Sequence, residues 1–414
     1  MKKISRRQFA ALFAAGLLSA CGAPQQLKPG SSAPAASGAP LGTDYAQPDF
    51  TCPDAVSALH QLGLSLLRNR AAEDKNAVLS PYSISIALSM AANGACGSTL
   101  SEMEKVIGRP VGQMNSFYAD RKAAENDQLV TANALWVRDI PGLNIRAEFL
   151  ETLRSSYEAE AFSHSFDKTI VQEVNSWINT NTKGLIPAML SKEPEDDVMT
   201  LLVNALSFEA KWETEYNKYA LQDGTFHCAD GTETTVTLMH SREKHYLKGE
   251  NATGVMKFYE GRKYAFAALL PNEGTTALQL LESLDGSALK ELLDSRREAE
   301  VNSAIPAFEA DCPSPLVQPL KALGMELPFT DGADFSAMAE KHLVLGSVLH
   351  RAVIKVDGLG TKAGAATVVS VYTTAMPSEP PEVFDVILDR PFVYLLVDTE
   401  NNAPLMMGVV QQLK

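Results

Sequence analysis

The segment before the C-terminus constrains the fold first. "PFVYLLVDTENNAPLMMGVV", Pro391 to Val410, holds two apolar runs around a polar turn at Asn401 to Pro404, which is a β-hairpin pattern. Strand-like runs also occupy "VMTLLVNALSF", Val198 to Phe208, and "YAFAALL", Tyr264 to Leu270. The earlier part reads differently. Val56, Leu59, Leu66 and Leu67 fall at helical spacing after Pro53 and Asp54. A second apolar helix, "SISIALSMAA", Ser83 to Ala92, is opened by Ser80 and Pro81, and a third is predicted from Thr99 with Glu102 closing a capping box and Met103, Val106 and Ile107 on its apolar face. Helices early, strands later and a long irregular stretch before a closing hairpin predict a mixed α+β fold with antiparallel sheet.

Composition narrows the function. A chain of 414 residues, 45% hydrophobic and 21% charged, suits one large or two modest cores. A net charge of -14 argues against a nucleic-acid partner, because phosphate binding needs clustered Lys and Arg. The chain carries no G-x-S-x-G, H-E-x-x-H or P-loop pattern, so an enzyme becomes the less favoured reading and no cofactor is expected, although a triad assembled in space would leave no such motif. The spacing of Gly358, Gly360 and Gly364 misses the dinucleotide fingerprint by one residue. Of the seven histidines, His240 and His245 come nearest to a ligand pair and read as a solvated loop, so no metal is expected. "EPEDD", Glu193 to Asp197, reads as an exposed acidic loop.

The N-terminus reads as an address. Lys2, Lys3 and the paired Arg6 and Arg7 precede an apolar run, Ala10 to Leu18, that is too short to span a bilayer as a mature helix. The paired arginines resemble a twin-arginine export signal. "LSAC", Leu18 to Cys21, resembles the bacterial lipobox, so residues 1–20 are expected to be removed and Cys21 to carry lipid at the cell envelope. Removal shifts the net charge from -14 to -18, since residues 1–20 hold four basic side chains and no acidic one. Residues 21–50, rich in Pro, Ala, Gly and Ser, read as a flexible tether, which leaves 51–414 as the folded domain. Cys52, Cys96, Cys228 and Cys312 are widely spaced and form no zinc pattern.

One stretch fits none of these roles. "TKAGAATVVSVY", Thr361 to Tyr372, separates with period two into a face of Thr361, Ala363, Ala365, Thr367, Val369 and Val371 and a face that holds Lys362, its one charge. Small uncharged side chains on one face let such a segment slide into a sheet.

Here the sequence resembles a family. "VDGLGTKAGAAT", Val356 to Thr367, is similar to the reactive-loop hinge of serpins. "NAVLSPYSISIALSMAANGACGSTLSEM" (Asn76 to Met103), "TANALWV" (Thr131 to Val137), "VNSWINTNTKGLI" (Val174 to Ile186), "VNALSFEAKW" (Val203 to Trp212) and "DRPFVYLLVD" (Asp389 to Asp398) match in order. The resemblance implies a serpin-like α+β fold with mostly antiparallel sheets, a cluster of helices and an exposed reactive loop at about 358–381. It implies suicide inhibition: a serine protease cuts the loop, is held as an acyl-enzyme, and is trapped as the loop inserts into the central sheet.

The residue roles follow from the same match. Gly360, Thr361, Ala363, Ala365, Ala366 and Thr367 correspond to the hinge. Ser80, Ser83, Asn204 and His350 correspond to the polar cluster beneath the opening sheet, with His350 and Asn204 expected to exchange hydrogen bonds, and Trp212 to the point where the loop enters. Family spacing puts the scissile bond between Thr374 and Ala375, with cleavage after Ala375 the alternative. Small or medium residues there imply an elastase-like or subtilisin-like serine protease partner with a small-residue pocket, attacking a monomer. The alternative is a non-inhibitory serpin-like binding protein of the envelope. Gly358, Leu359 and Lys362 stand where acidic residues are common, which bears on the rate of insertion.

Overall fold

The computed structural model describes residues 2–3, 52–70, 75–122, 127–346, 348–361 and 382–414. Cys21, the tether and the loop residues Ala363, Ala365, Ala366, Thr367, Thr374 and Ala375 lie outside the described residues.

The first helices form where the pattern places them. α1 (Ala55–Arg70) opens with the Asp54 carboxylate accepting from the Ser57 N–H at 2.9 Å. α2 (Pro81–Ala92) is capped by Ser80, whose Oγ accepts from the Ser83 N–H at 3.0 Å, and its apolar surface is buried on nearly every side. The third helix departs from expectation. α3 (Gly97–Ile107) starts ahead of Thr99, with Cys96 at the cap and no side-chain cap bond. Thr99 Oγ1 instead accepts from the Asp334 N–H at 2.9 Å, and the Glu102 carboxylate accepts from the N–H groups of Glu326 and Leu327. Tertiary donors take both groups that a local capping box would have used.

The strand-rich half builds a nine-stranded sheet. Its spatial order is β15 (Val383–Ile387), β11 (Arg297–Pro306), β8 (Glu233–Lys248), β9 (Ala252–Phe258), β10 (Tyr264–Pro271), β16 (Phe392–Asp398), β17 (Ala403–Val410) and β2 (Ala77–Leu79), with β7 (Leu221–His227) also paired to β8. The pair of β15 with β11 is parallel. β16 and β17 are the expected closing hairpin, running from Phe392 opposite Val410 to Asp398 opposite Ala403.

A second sheet comes in two halves. One half orders β1 (Lys2–Lys3), β4 (Glu160–His164), β3 (Leu129–Arg138) and β5 (Thr200–Phe208); the other orders β12 (Phe308–Pro315), β13 (Leu349–Asp357), β14 (Gly360–Thr361) and β6 (Ala210–Lys211). β6 continues β5 beyond Glu209, so the halves join at one end, where β14 sits between β13 and β6. Among the described residues, no backbone ladder joins β5 to β13 below that point. A seam therefore runs down the middle of the sheet.

Both faces of β5 are covered, which is why its sequence reads as a continuous apolar run. Leu201, Val203 and Ala205 pack with Trp136 and Phe162 against Val174, Trp177 and Ile178 of α4 (Ile170–Asn181), while Leu206 and Phe208 join the main core. Each fully buried aliphatic side chain stabilises this contact by roughly 1.5–3 kcal/mol.

Candidate functional site

At its closed end the seam holds the start of the hinge. Gly360 pairs with Asp357 on one side and Lys211 on the other; Thr361 pairs with Val356 and Ala210. Gly360 has φ +153°, and a Cβ there would stand 2.2 Å from the Ala210 carbonyl oxygen. A side chain cannot be accommodated. Thr361 is buried, and its Oγ1 lies 2.7 Å from the hydroxyl of Tyr259.

Trp212 grips the turn that leads into this strand. Its backbone N–H donates to Leu359 O at 3.0 Å and its indole N–H to Asp357 O at 2.8 Å, while the Tyr216 N–H donates to Gly358 O at 3.0 Å. The indole also stacks on Tyr259, with ring centroids 4.4 Å apart and planes 13° apart. Burial pushes the pKa of both the Tyr259 and Tyr216 hydroxyls far above the usual tyrosine range, so both are neutral.

Further down, the two edges of the seam are tied by side chains. His350 on β13 accepts from the Ser80 N–H at Nε2, 3.0 Å, which assigns its ring proton to Nδ1. Ser80 Oγ donates to Leu405 O at 2.6 Å and caps α2 through Ser83. Ser83 Oγ donates to Asn204 Oδ1 on β5. Asn204 Nδ2 donates to Asn133 Oδ1 at 2.6 Å, and Asn133 Nδ2 to Tyr157 O at 2.8 Å. Ser80, Ser83, Asn204 and His350 are all buried, so a broken bond would leave a polar group without water. The relay runs from β13 through the start of α2 to β5 and β3. In this arrangement His350 reaches Asn204 through the two serines.

Sequence reasoning put Ser80, Ser83, Asn204 and His350 beneath the opening sheet, Trp212 where the loop enters, and Gly360 and Thr361 in the hinge. Gly360, Thr361 and Trp212 lie at the closed end of the seam, and Ser80 and Ser83, at the start of α2, link His350 on β13 to Asn204 on β5. It missed Asn133, Tyr216 and Tyr259. Asn133 could have been found as the polar residue inside the apolar run "TANALWV". His240 and His245, read as a solvated loop, lie on the strand β8 opposite Ala304 and Glu298. His245 Nε2 accepts from Arg262 at 3.0 Å, and burial, then the Arg262 charge, lower its pKa. Among the described residues, no group of three or more His, Cys, Asp or Glu is placed to hold a metal ion.

A family model described as Serpin (serine protease inhibitor) matches residues 57–413. The chain belongs to the serpin family. An uncharacterised serpin-like protein of the archaeon Thermococcus kodakarensis is 30% identical to this serpin over 369 residues, covering 85% of this chain and 84% of the relative. Iripin-8 of Ixodes ricinus is 28% identical over 86% of this chain and 93% of its own length. Among solved structures, the thermophilic serpin tengpin in its native state superposes with a TM-score of 0.80 at 29% identity, covering 89% of this chain and 97% of tengpin. Human thyroxine-binding globulin complexed with its hormone superposes at a TM-score of 0.75 and 25% identity over 86% of this chain and 98% of its own. The expected α+β serpin fold is borne out. Serpins are in general protease inhibitors and not catalysts, and some members are non-inhibitory.

Proposed function

We propose that this serpin is a suicide inhibitor of serine proteases with a small-residue pocket, of the elastase or subtilisin type. The protease serine attacks the carbonyl carbon of Thr374; the ester to the protease forms, the Thr374–Ala375 bond breaks, and the amine of Ala375 leaves with the proton supplied by the protease. The freed loop then inserts between β5 and β13 and carries the protease away before water can cleave the ester.

The observation that carries this reading is the seam with its first inserted residues. Gly360 and Thr361 already occupy the strand position that Ala363, Ala365 and Thr367 would extend. A dozen or so new ladder bonds at about 1 kcal/mol each would contribute on the order of 10 kcal/mol, comparable with the whole stability of a domain. The uncut form is therefore held kinetically, with the polar relay as its restraint.

The alternative is a non-inhibitory binding protein. Thyroxine-binding globulin, a similar fold complexed with a hormone, keeps that reading open. The hinge sequence favours inhibition, because Thr361, Ala363, Ala365 and Thr367 are small and uncharged. The same proposal places the protein outside the cytoplasm as a monomer, tethered to a bacterial envelope by lipid on Cys21. Cleavage before Cys21 would remove Lys2–Lys3 and leave β4 as the edge of its half-sheet, a loss of two residue pairs.

Mixing residues 51–414 with an elastase-like protease and running a denaturing gel tests this. A complex that survives denaturation, with release of a peptide beginning at Ala375, supports trapping at the assigned bond; clean cleavage with fully active protease, repeated with a subtilisin, moves the assignment to the non-inhibitory reading. Retention of the full-length protein in the membrane fraction, lost on Cys21→Ala, tests the anchor.

A further inference from the structure

Lys257 on β9 is a buried cation that the insertion scheme has not used. Its side chain is 3% exposed, and its ammonium lies 2.7 Å from Glu243 Oε1 on β8. The same carboxylate oxygen accepts from Ser241 Oγ at 2.7 Å. The ammonium also stands over two rings, 4.5 Å from the centroid of Tyr216 and 5.4 Å from that of Trp212. These are the two residues whose backbones and indole hold the turn at Asp357, Gly358 and Leu359. Trp212 in turn stacks on Tyr259, whose hydroxyl meets Thr361. An unbroken series of contacts links Glu243 to the first inserted threonine.

We propose that the Lys257–Glu243 ion pair is a positioning pair that fixes the pivot of the hinge, so that the cut loop enters the seam quickly and in register. The proposal rests on the insertion mechanism given above.

A buried ion pair contributes little net stability compared with apolar residues of the same size, so its presence here calls for a geometric role. A cation over the faces of Trp212 and Tyr216 sets where both rings sit. Glu243 holds that cation from the side of an open cleft of about 530 Å³, which Glu213, Glu215, His245 and Arg262 also line. Glu213 faces Arg262 at 3.2 Å and Glu215 faces Lys211 at 3.6 Å, which leaves Glu243 to Lys257.

The test compares the parent with the apolar double variant Lys257→Met and Glu243→Leu, and with Lys257→Arg, which keeps both the charge and the ring contact. The loop is cut with an unrelated protease, and insertion is followed as the rise in resistance to thermal unfolding over time. The double variant is expected to melt near the parent when uncut but to insert slower on the order of tenfold, and to consume more inhibitor per trapped protease, with Lys257→Arg close to parental. Should the double variant not fold, Glu243→Gln, which keeps the shape and removes the charge, is expected to slow insertion in the same direction. A parental insertion rate in the folded double variant, or in Glu243→Gln where the double variant does not fold, overturns the proposal. Because insertion is read without trapping, a parent that inserts but traps no protease refutes the inhibitor reading and leaves this comparison intact.

Discussion

Thr361→Arg tests the strand place that residue 361 already holds at the head of the seam. Thr361 is 3% exposed, flanked by Val356 and Ala210, with its hydroxyl on Tyr259. An arginine in that place leaves a buried charge with no designed partner and takes the threonine hydroxyl from Tyr259. Together these cost about 3–5 kcal/mol if the residue is forced into the sheet. The variant therefore expels residue 361 from the strand place that threonine holds in the uncut form, and insertion of the cut loop has to force it back. Each 1.4 kcal/mol added to the insertion barrier slows it about tenfold, so a cost of about 3 kcal/mol gives roughly a hundredfold. Insertion then loses to deacylation, and the protease escapes. The assay is the molar ratio of inhibitor to protease at full inhibition, with a gel to separate trapped complex from cut, released inhibitor. Cut inhibitor with free protease is expected. A complex yield equal to the parent's would refute the reasoning that residue 361 must stay in the sheet for the loop to insert behind it.

Three further outcomes follow from named contacts. His350→Ala removes the acceptor of the Ser80 N–H, so the uncut form should lose about 1–3 kcal/mol and insert faster; an unchanged insertion rate would deny the relay its restraining role. Ala365→Glu would bring an unpaired carboxylate to the inserting face, at a cost of about 3–5 kcal/mol, and should convert the protein to a substrate on the same gel, whereas undiminished trapping contradicts the face assignment. His60 is buried, its Nε2–H donating to Asn402 O at 2.9 Å and its Nδ1 without a partner among the described residues, and burial lowers its pKa from 6.5 to about 4. The unfolded chain takes up a proton near pH 6.5 that the folded chain refuses until about pH 4, so about 3 kcal/mol of stability present above pH 6.5 is lost as pH falls through that window. Denaturant titrations should show that slope, and His60→Gln should flatten it.

The elements set by local pattern were legible. α1 and α2 follow apolar spacing and a cap that bonds within three residues, and the β16–β17 hairpin follows two apolar runs about a turn. What depended on distant partners was not. Thr99 and Glu102 have the spacing of a capping box, yet their oxygens serve Asp334, Glu326 and Leu327, more than two hundred residues away. His240 and His245 look like loop residues until the alternation of "TTVTLMHSREKHYLK" is seen to continue through them as one strand. The seam residues could be named through a family likeness, because nothing local marks Ser83 and Asn204 as neighbours across 121 positions. Tyr259 and Lys257 carry no local signal at all: their importance lies in the rings they meet after folding.

The central claim is that the cut loop becomes a strand between β5 and β13. Amide hydrogen exchange tests it most directly, measured on Thr200–Phe208 and Leu349–Asp357 before and after the loop is cut. The account predicts that amides facing the seam on both strands become strongly protected after cleavage, while β16 and β17 in the other sheet keep the protection they had. Unchanged exchange along both seam edges in the cut protein would contradict it.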